Sequence, residues 1–301
     1  MSTLIVFGPL LPLPFPSNMT LTNPIFIVGC SRSGTCLLGE ILKKHSNVHC
    51  LVEYPTTFKY AQRLAIHRKE HHNPQTIDNL QNLYDNAWRK TWRKCQNCSS
   101  ACRKVQYQKH GILSPCYVPS QITRYADKSH QHVVNVNLLR RAFPQSQFLH
   151  IYRDARDVVT SMLRYDRLVR RFSTKVKINE NSCWPQPWYG IENKEQYCEW
   201  QEWSLAKKMA WAWESRIREA KKCASQLSPS QWMDICYETL LNNPAQVTKE
   251  IFQFLDLPYE AQTHSHLYEK NSQKWKTLLQ PQQLSDIIDN APSLRDLGYS
   301  F

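Results

Sequence analysis

The chemistry of this 301-residue chain is carried by two glycines, two arginines and the residues spaced around them. In "FIVGCSRSGTCLL" four residues separate Gly29 from Gly34. At that spacing, loop N–H groups and the first turn of a following helix can surround an anion. A nucleoside triphosphate loop would continue with lysine and then serine or threonine, for phosphate and magnesium. Thr35 and Cys36 stand there instead, so a magnesium–triphosphate site lacks its ligands. The charged donor lies inside the loop: Arg32 can reach an oxygen that gains charge as a bond breaks. The same glycine pair also suits an ordinary strand-to-helix turn. A second anion set lies in "FLHIYRDARDVVTSML", where Arg153 ends an apolar run. Ser161 follows eight residues later, on a helix expected to begin near Asp157, and the two can converge on one phosphate. An Arg153–Asp157 surface pair is the alternative for that segment.

Elements must place these residues. Short apolar runs at 25–28, 48–52, 148–152 and 232–236 read as strands, and helical periodicity at 36–44, 133–142, 206–224 and 245–255 lies between them. The alternation predicts an α/β domain on a parallel sheet. In such sheets ligands bind at the carboxyl ends of the strands, where Gly29–Thr35 and Arg153 fall. Two stretches break the pattern, at about 60–120 and 165–203, and read as insertions in a single domain over 24–301. The second carries the aromatic segment Trp184–Trp203, which follows the Arg153 segment and suits a lid over an acceptor or a packed insertion.

Lysine and arginine outnumber aspartate and glutamate, 38 to 25, giving a formal charge of +13 that favours anionic partners. Residues 1–23 form an apolar arm interrupted by prolines, and no window reaches the roughly 18 apolar residues of a membrane helix. No membrane span is expected, and the scattered cysteines suit reduced thiols and a cytoplasmic setting. One cluster differs: Cys95, Cys98 and Cys102, then Cys116, can be read as a zinc site, a local disulfide or free thiols. Basic and aromatic residues interleave in the first insertion, but nucleic acid is not the expected partner.

The ordered set "FIVGCSRSGTCLL", "RYADKS", "FLHIYRDARDVVTSM", "YETLLNNPAQVTKEIFQFLDL" and "KWKTLLQPQQLSDI…LGY" resembles sulfotransferases that use 3′-phosphoadenosine-5′-phosphosulfate (PAPS). The protein-tyrosine and bacterial groups match better than the cytosolic phenol and steroid enzymes. The resemblance implies a P-loop-NTPase-like three-layer fold. It implies that Arg32, Ser33, Gly34 and Thr35 bind the 5′-phosphosulfate and that Arg153 and Ser161 hold the 3′-phosphate. Lys128 then lies near the transferring group, Tyr237 contacts the nucleotide, and Lys274 contacts the donor phosphates. Glu53 matches the base of the tyrosine enzymes, which take a proton from a hydroxyl of pKa about 10. Read alone, a glutamate at a strand end is a solvated charge or ion pair.

The resemblance therefore implies sulfuryl transfer from PAPS to an acceptor hydroxyl on a sugar, lipid, small molecule or peptide tyrosine. Glu53 would be the base, Arg32 and Lys128 would stabilise the leaving phosphate, and no metal is required. Two departures bear on peptide tyrosine: the tyrosine enzymes have an N-terminal membrane helix not expected here, and an arginine where this chain has Pro55. A kinase-like enzyme and a non-catalytic polyanion-binding protein on the same fold are the alternatives.

Overall fold

The computed structural model describes residues 23–92, 115–117, 122–173, 184–267 and 273–300. The apolar arm, apart from Asn23, lies outside the described residues, as do Cys95, Cys98, Cys102 and the side chain of Cys116.

The strands are β1 (Ile25–Val28), β2 (Val48–Val52), β3 (Lys90–Trp92), β4 (Pro115–Tyr117), β5 (Arg124–Lys128), β6 (Gln147–Tyr152) and β7 (Trp232–Cys236). Five of them pair in parallel in the order β2-β5-β1-β6-β7, while β3 and β4 form a separate antiparallel pair. The main helices are α1 (Thr35–Lys43), α2 (Pro55–Ile66), α3 (Pro74–Arg89), α4 (Val136–Ala142), α5 (Ala155–Leu163), α6 (Asp166–Ser173), α7 (Lys194–Glu202), α8 (Leu205–Ala224), α9 (Tyr237–Asn242), α10 (Pro244–Phe254), α11 (Trp275–Leu278) and α12 (Pro281–Asn290).

Every residue of β1 is fully buried. A strand covered on both faces reads as a continuous apolar run rather than an alternating one. Phe26, Val28 and Phe148 pack on one side against Tyr84 and Trp88 of α3 and Leu138 and Leu139 of α4. Ile25, Ile27 and Leu149 pack on the other against Leu38 and Ile41 of α1 and Ile251 and Phe252 of α10. Helix, sheet and helix make the three-layer α/β architecture that the sequence predicts. A further cluster joins α5, α8 and α12 to the aromatic residues Tyr189, Tyr197 and Trp200.

Beyond the separate β3–β4 pair, the structure adds one strand to the sheet formed by the four predicted. β5, with the sequence RYADK, has three charges in five residues and no apolar pattern, yet it lies between β2 and β1. Its charges are matched in three dimensions. Asp127 accepts from the Tyr84 hydroxyl at 2.9 Å and lies 3.1 Å from His132 Nε2. Arg124 donates to the carbonyls of Asn23 (3.1 Å) and Leu255 (2.5 Å) and to Gln147 Oε1 (2.6 Å), tying three segments to the amino edge of the sheet. The first insertion is also part of the core, because Trp88 is fully buried and its Nε1 donates to Ala126 O at 3.0 Å.

Replacing Arg124 leaves those acceptors without their charged donor. Arg124→Met is expected to cost about 2–3 kcal/mol of stability, read as a lower urea midpoint with an unchanged slope.

Candidate active site

All five strands of the sheet deliver a site residue at the same edge. In the parallel register Val52 and Ile27 both face Lys128, the last residue of β5, and Val28 faces His150, two residues before the end of β6. Glu53 therefore follows β2 beside Lys128, the glycine loop leaves β1, and Arg153 leaves β6. Cys236 faces Tyr152, so Tyr237 leaves β7 next to Arg153.

Close approaches shape the loop. A Cβ on Gly29 would come within 2.4 Å of Ile151 O, and one on Gly34 within 2.5 Å of the Tyr237 ring. Gly34 also has φ 101° as it caps α1, a conformation that side-chain-bearing residues rarely adopt. Arg32, at φ 71°, holds a left-handed conformation that only its surroundings can maintain. Its Nε donates to Ser161 Oγ at 3.0 Å, joining the first loop to α5. The Arg153 guanidinium stands 4.4 Å from the Tyr237 ring centre and 3.5 Å from Asp157. Trp213 Nε1 of α8 donates to Arg153 O at 3.1 Å, which fixes the backbone there.

These side chains line a cavity of about 310 Å³, whose walls include Arg32, Arg153, Ser161, Tyr165, Tyr237 and Lys274. Four cations, with Arg164 the fourth, face it against the single carboxylate of Asp157. Asp157 is already occupied by the Gln273 N–H at 2.8 Å. Ser33 Oγ and Arg153 Nε are buried and have no protein partner. Donors left unpaired beside a surplus of positive charge suit a polyanionic ligand.

A second cluster lies around Glu53. Lys128 Nζ donates to Glu53 Oε1 at 2.7 Å, and His130 Nδ1 lies 3.0 Å from the same oxygen. The His130 hydrogen bond and then the Lys128 bond and charge hold the Glu53 carboxyl at about 2, against the opposing effect of burial. Burial pushes the His130 imidazole down to about 4. At pH 7 the carboxylate is therefore ionised and the ring neutral. An ionised carboxylate only accepts, so Nδ1 carries the proton and Nε2 presents a lone pair. That Nε2 is buried and unpartnered. Phe58 stands 5.2 Å from the His130 ring and Trp188, in the aromatic segment, 4.4 Å from it.

The structure brings Arg32, Arg153, Ser161, Tyr237 and Lys274 into one cavity, with Ser33, Gly34 and Thr35 in the adjoining loop and helix start. It brings Glu53 and Lys128 into a separate ion pair rather than onto the cavity wall. The Arg153–Asp157 pair also forms, as part of that wall and not on the open surface. Helix α5 starts earlier than expected because Asp154 caps it, accepting from Arg156 N at 2.8 Å. Sequence reasoning missed His130 and Tyr165. Tyr165 lies four residues beyond Ser161, a spacing that keeps two residues on one side as a helix ends. His130, by contrast, has no local signal. Among the described residues, six cysteines are free thiols and no cluster of histidine, cysteine and carboxylate residues is arranged for a metal. No helix among them is long and apolar enough to cross a membrane.

A glycine loop and arginines at the carboxyl edge of a parallel sheet define a P-loop-like α/β protein. The sulfotransferase family profile matches residues 24–261, and the chain belongs to that family, a family of transferases. It is similar to a protein named "Putative protein-tyrosine sulfotransferase" from Caenorhabditis briggsae, 25% identical over 244 residues that cover 80% of this chain and 68% of the relative. A protein of the same name from Caenorhabditis elegans is 26% identical over 160 residues, 52% of this chain and 46% of the relative. Among solved structures, the sulfotransferase of Alicyclobacillus acidocaldarius superposes with a TM-score of 0.47 at 15% identity, covering 92% of this chain and 95% of that one. A mouse sulfotransferase solved with PAP gives 0.47 at 12% identity, covering 93% and 89%.

The depressed His130 value has a measurable sign. Between its ordinary value of 6.5 and about 4, the unfolded chain takes up a proton that the folded ring refuses. The contribution of His130 to stability therefore falls as the pH drops through that window. Glu53, shifted from 4.5 to about 2, adds its stabilisation above 4.5 and loses it only below, so it stays nearly constant across most of the same window. Urea unfolding at pH 7 and pH 4.5 should show wild type losing stability relative to His130→Gln. A constant difference would contradict a neutral buried ring.

Proposed function

We propose that the chain transfers a sulfuryl group from PAPS to an acceptor hydroxyl. The observation that carries this reading is the convergence of Arg32, Arg153, Ser161, Tyr237 and Lys274 on one cavity at the carboxyl edge of the sheet. Arg153 and Ser161 hold the 3′-phosphate, and Lys274 contacts the donor phosphates. The loop from Arg32 to Thr35 holds the 5′ end through its N–H groups and the start of α1. The donor supplies the sulfuryl group, and an S–O bond to the acceptor forms as the S–O bond to the leaving phosphate breaks. Arg32 and Lys128 offset the charge left on that phosphate, so catalysis is positioning and electrostatic stabilisation without a metal.

Glu53 takes the acceptor's proton. With a pKa of about 2 while Lys128 and His130 both hold it, the carboxylate is a weak base. Turning Lys128 toward the leaving phosphate removes one of those partners and raises its basicity. One observation favours a second reading: the buried lone pair on His130 Nε2 can accept the proton, with Glu53 orienting the ring. Phe58 and Trp188 wall the approach to either base. The names of the nematode relatives favour peptide tyrosine among the candidate acceptors.

Calorimetry with 3′,5′-adenosine bisphosphate (PAP) and ATP tests the donor site. PAP should bind more tightly, and Arg153→Ala should weaken it by about tenfold or more, the loss of a charge-assisted contact. Arg32→Ala should abolish turnover. Preference for ATP would point to a kinase, and salt-sensitive binding of heparin with no binding of either nucleotide would point to a polyanion-binding protein. For the base, Glu53→Gln should cost about 100-fold or more in turnover and His130→Gln much less. The reverse order would assign the proton to His130.

A further inference from the structure

Outside the cavity, a closed circuit of hydrogen bonds links the turn carrying Arg153 to Tyr299 and Ser300. Glu238 Oε1 accepts from the Asp154 N–H at 3.2 Å, and its Oε2 accepts from the Tyr299 hydroxyl at 2.9 Å. The next residue, Ser300, offers its carbonyl to Arg156 Nη1 at 2.8 Å. Arg156 returns to the start, gripping the Asp154 carboxylate through Nε (3.0 Å) and Nη2 (2.8 Å). The path therefore runs from Asp154 to Glu238, Tyr299, Ser300, Arg156 and back to Asp154.

Several cavity residues connect to this circuit. Arg153 directly precedes Asp154, and Tyr237 directly precedes Glu238. Ser161 lies on α5, which Asp154 caps. Arg156 also lies 4.2 Å from the ring centre of Trp275, the neighbour of Lys274. The alignment of the Arg153 guanidinium with the Tyr237 ring depends on two turns, one after β6 and one after β7, that Glu238 bridges. The Tyr299 hydroxyl, with the weaker Cys236 thiol at 3.3 Å from the same oxygen, fixes Glu238 in that bridging position. Its ring packs with α5, α8 and α12, whereas its hydroxyl serves the carboxylate. Burial and the Glu238 charge push that hydroxyl's pKa up, so it remains a donor at any working pH.

We propose that Tyr299 is a positioning residue for the donor: through Glu238 its hydroxyl keeps Arg153 and Tyr237 in the arrangement that grips the 3′-phosphate. The inference rests on the donor reading above. A purely structural anchor would stabilise the whole domain without regard to which end of the nucleotide is bound. A positioning role would be felt only where a 3′-phosphate is present.

Calorimetric affinities for PAP and for adenosine 5′-monophosphate, which lacks the 3′-phosphate, separate the two. Tyr299→Phe keeps the ring and removes the hydroxyl. It should weaken PAP about tenfold, the loss of one bond to a charged group, and leave the monophosphate within about twofold. With PAPS the loss should appear in KM, with kcat at saturating donor nearly unchanged. Arg156→Lys keeps the charge but opens the fork to Asp154 and the bond to Ser300, and should reproduce the selective loss should Tyr299→Phe fail to fold. An unchanged ratio of the two affinities in both variants, or an equal loss for both nucleotides, overturns the inference while leaving the donor site standing. Failure of wild type to prefer PAP over the monophosphate removes the donor reading, and the inference with it.

Discussion

Parallel pairing of five strands is the constraint on which the rest of this structure depends. Because all five run the same way, their carboxyl ends fall on one edge, and each chain leaves that edge through a short turn. Glu53, the glycine loop, Lys128, Arg153 and Tyr237 come from positions scattered between Gly29 and Tyr237, yet the register makes them neighbours. An antiparallel partner at any position would send its exit to the opposite edge. The buried apolar run of β1 holds this arrangement, since both of its faces are covered by helices and a slip in register would disrupt both layers at once.

Bringing cations to one edge carries an electrostatic cost, and the structure divides them into two groups. Around the cavity the positive charges outnumber the single carboxylate, which leaves a site that an anion would neutralise. Around Glu53 the charges are matched, since Lys128 is almost completely buried and a buried ammonium needs a partner. Lys128 is one of the partners that lower the Glu53 pKa, so loss of its contact would raise the basicity of the carboxylate.

The aromatic segments serve both ends of this arrangement. Tyr84 and Trp88 of the first insertion seal the face of the sheet beneath β1 and β5. Trp188 of the second insertion reaches His130 at the other side of Glu53, and the Arg171 guanidinium lies 4.1 Å from its ring centre. Neither stretch is appended to a finished domain, because each supplies contacts that the sheet and the site require.

The sequence alone determined the α/β class, four of the five strands of the sheet and the glycine loop, and it singled out Arg32, Arg153 and Ser161 as candidate anion ligands. These are legible because they are local: an apolar run covered on both faces, a fixed glycine spacing, and an arginine where a strand ends all leave marks within a few residues. Tyr237, Lys128, Lys274 and Glu53 became candidates through family resemblance, since none has a local pattern. Tertiary structure decided the place of β5, whose charges disguise it until Tyr84, His132 and Gln147 supply partners from elsewhere in the chain. It also decided that His130 shares an oxygen of Glu53 with Lys128 and that Tyr299 reaches Glu238. Those contacts join residues far apart in the chain, and no local period or spacing records a pairing that exists only after the backbone has closed on itself.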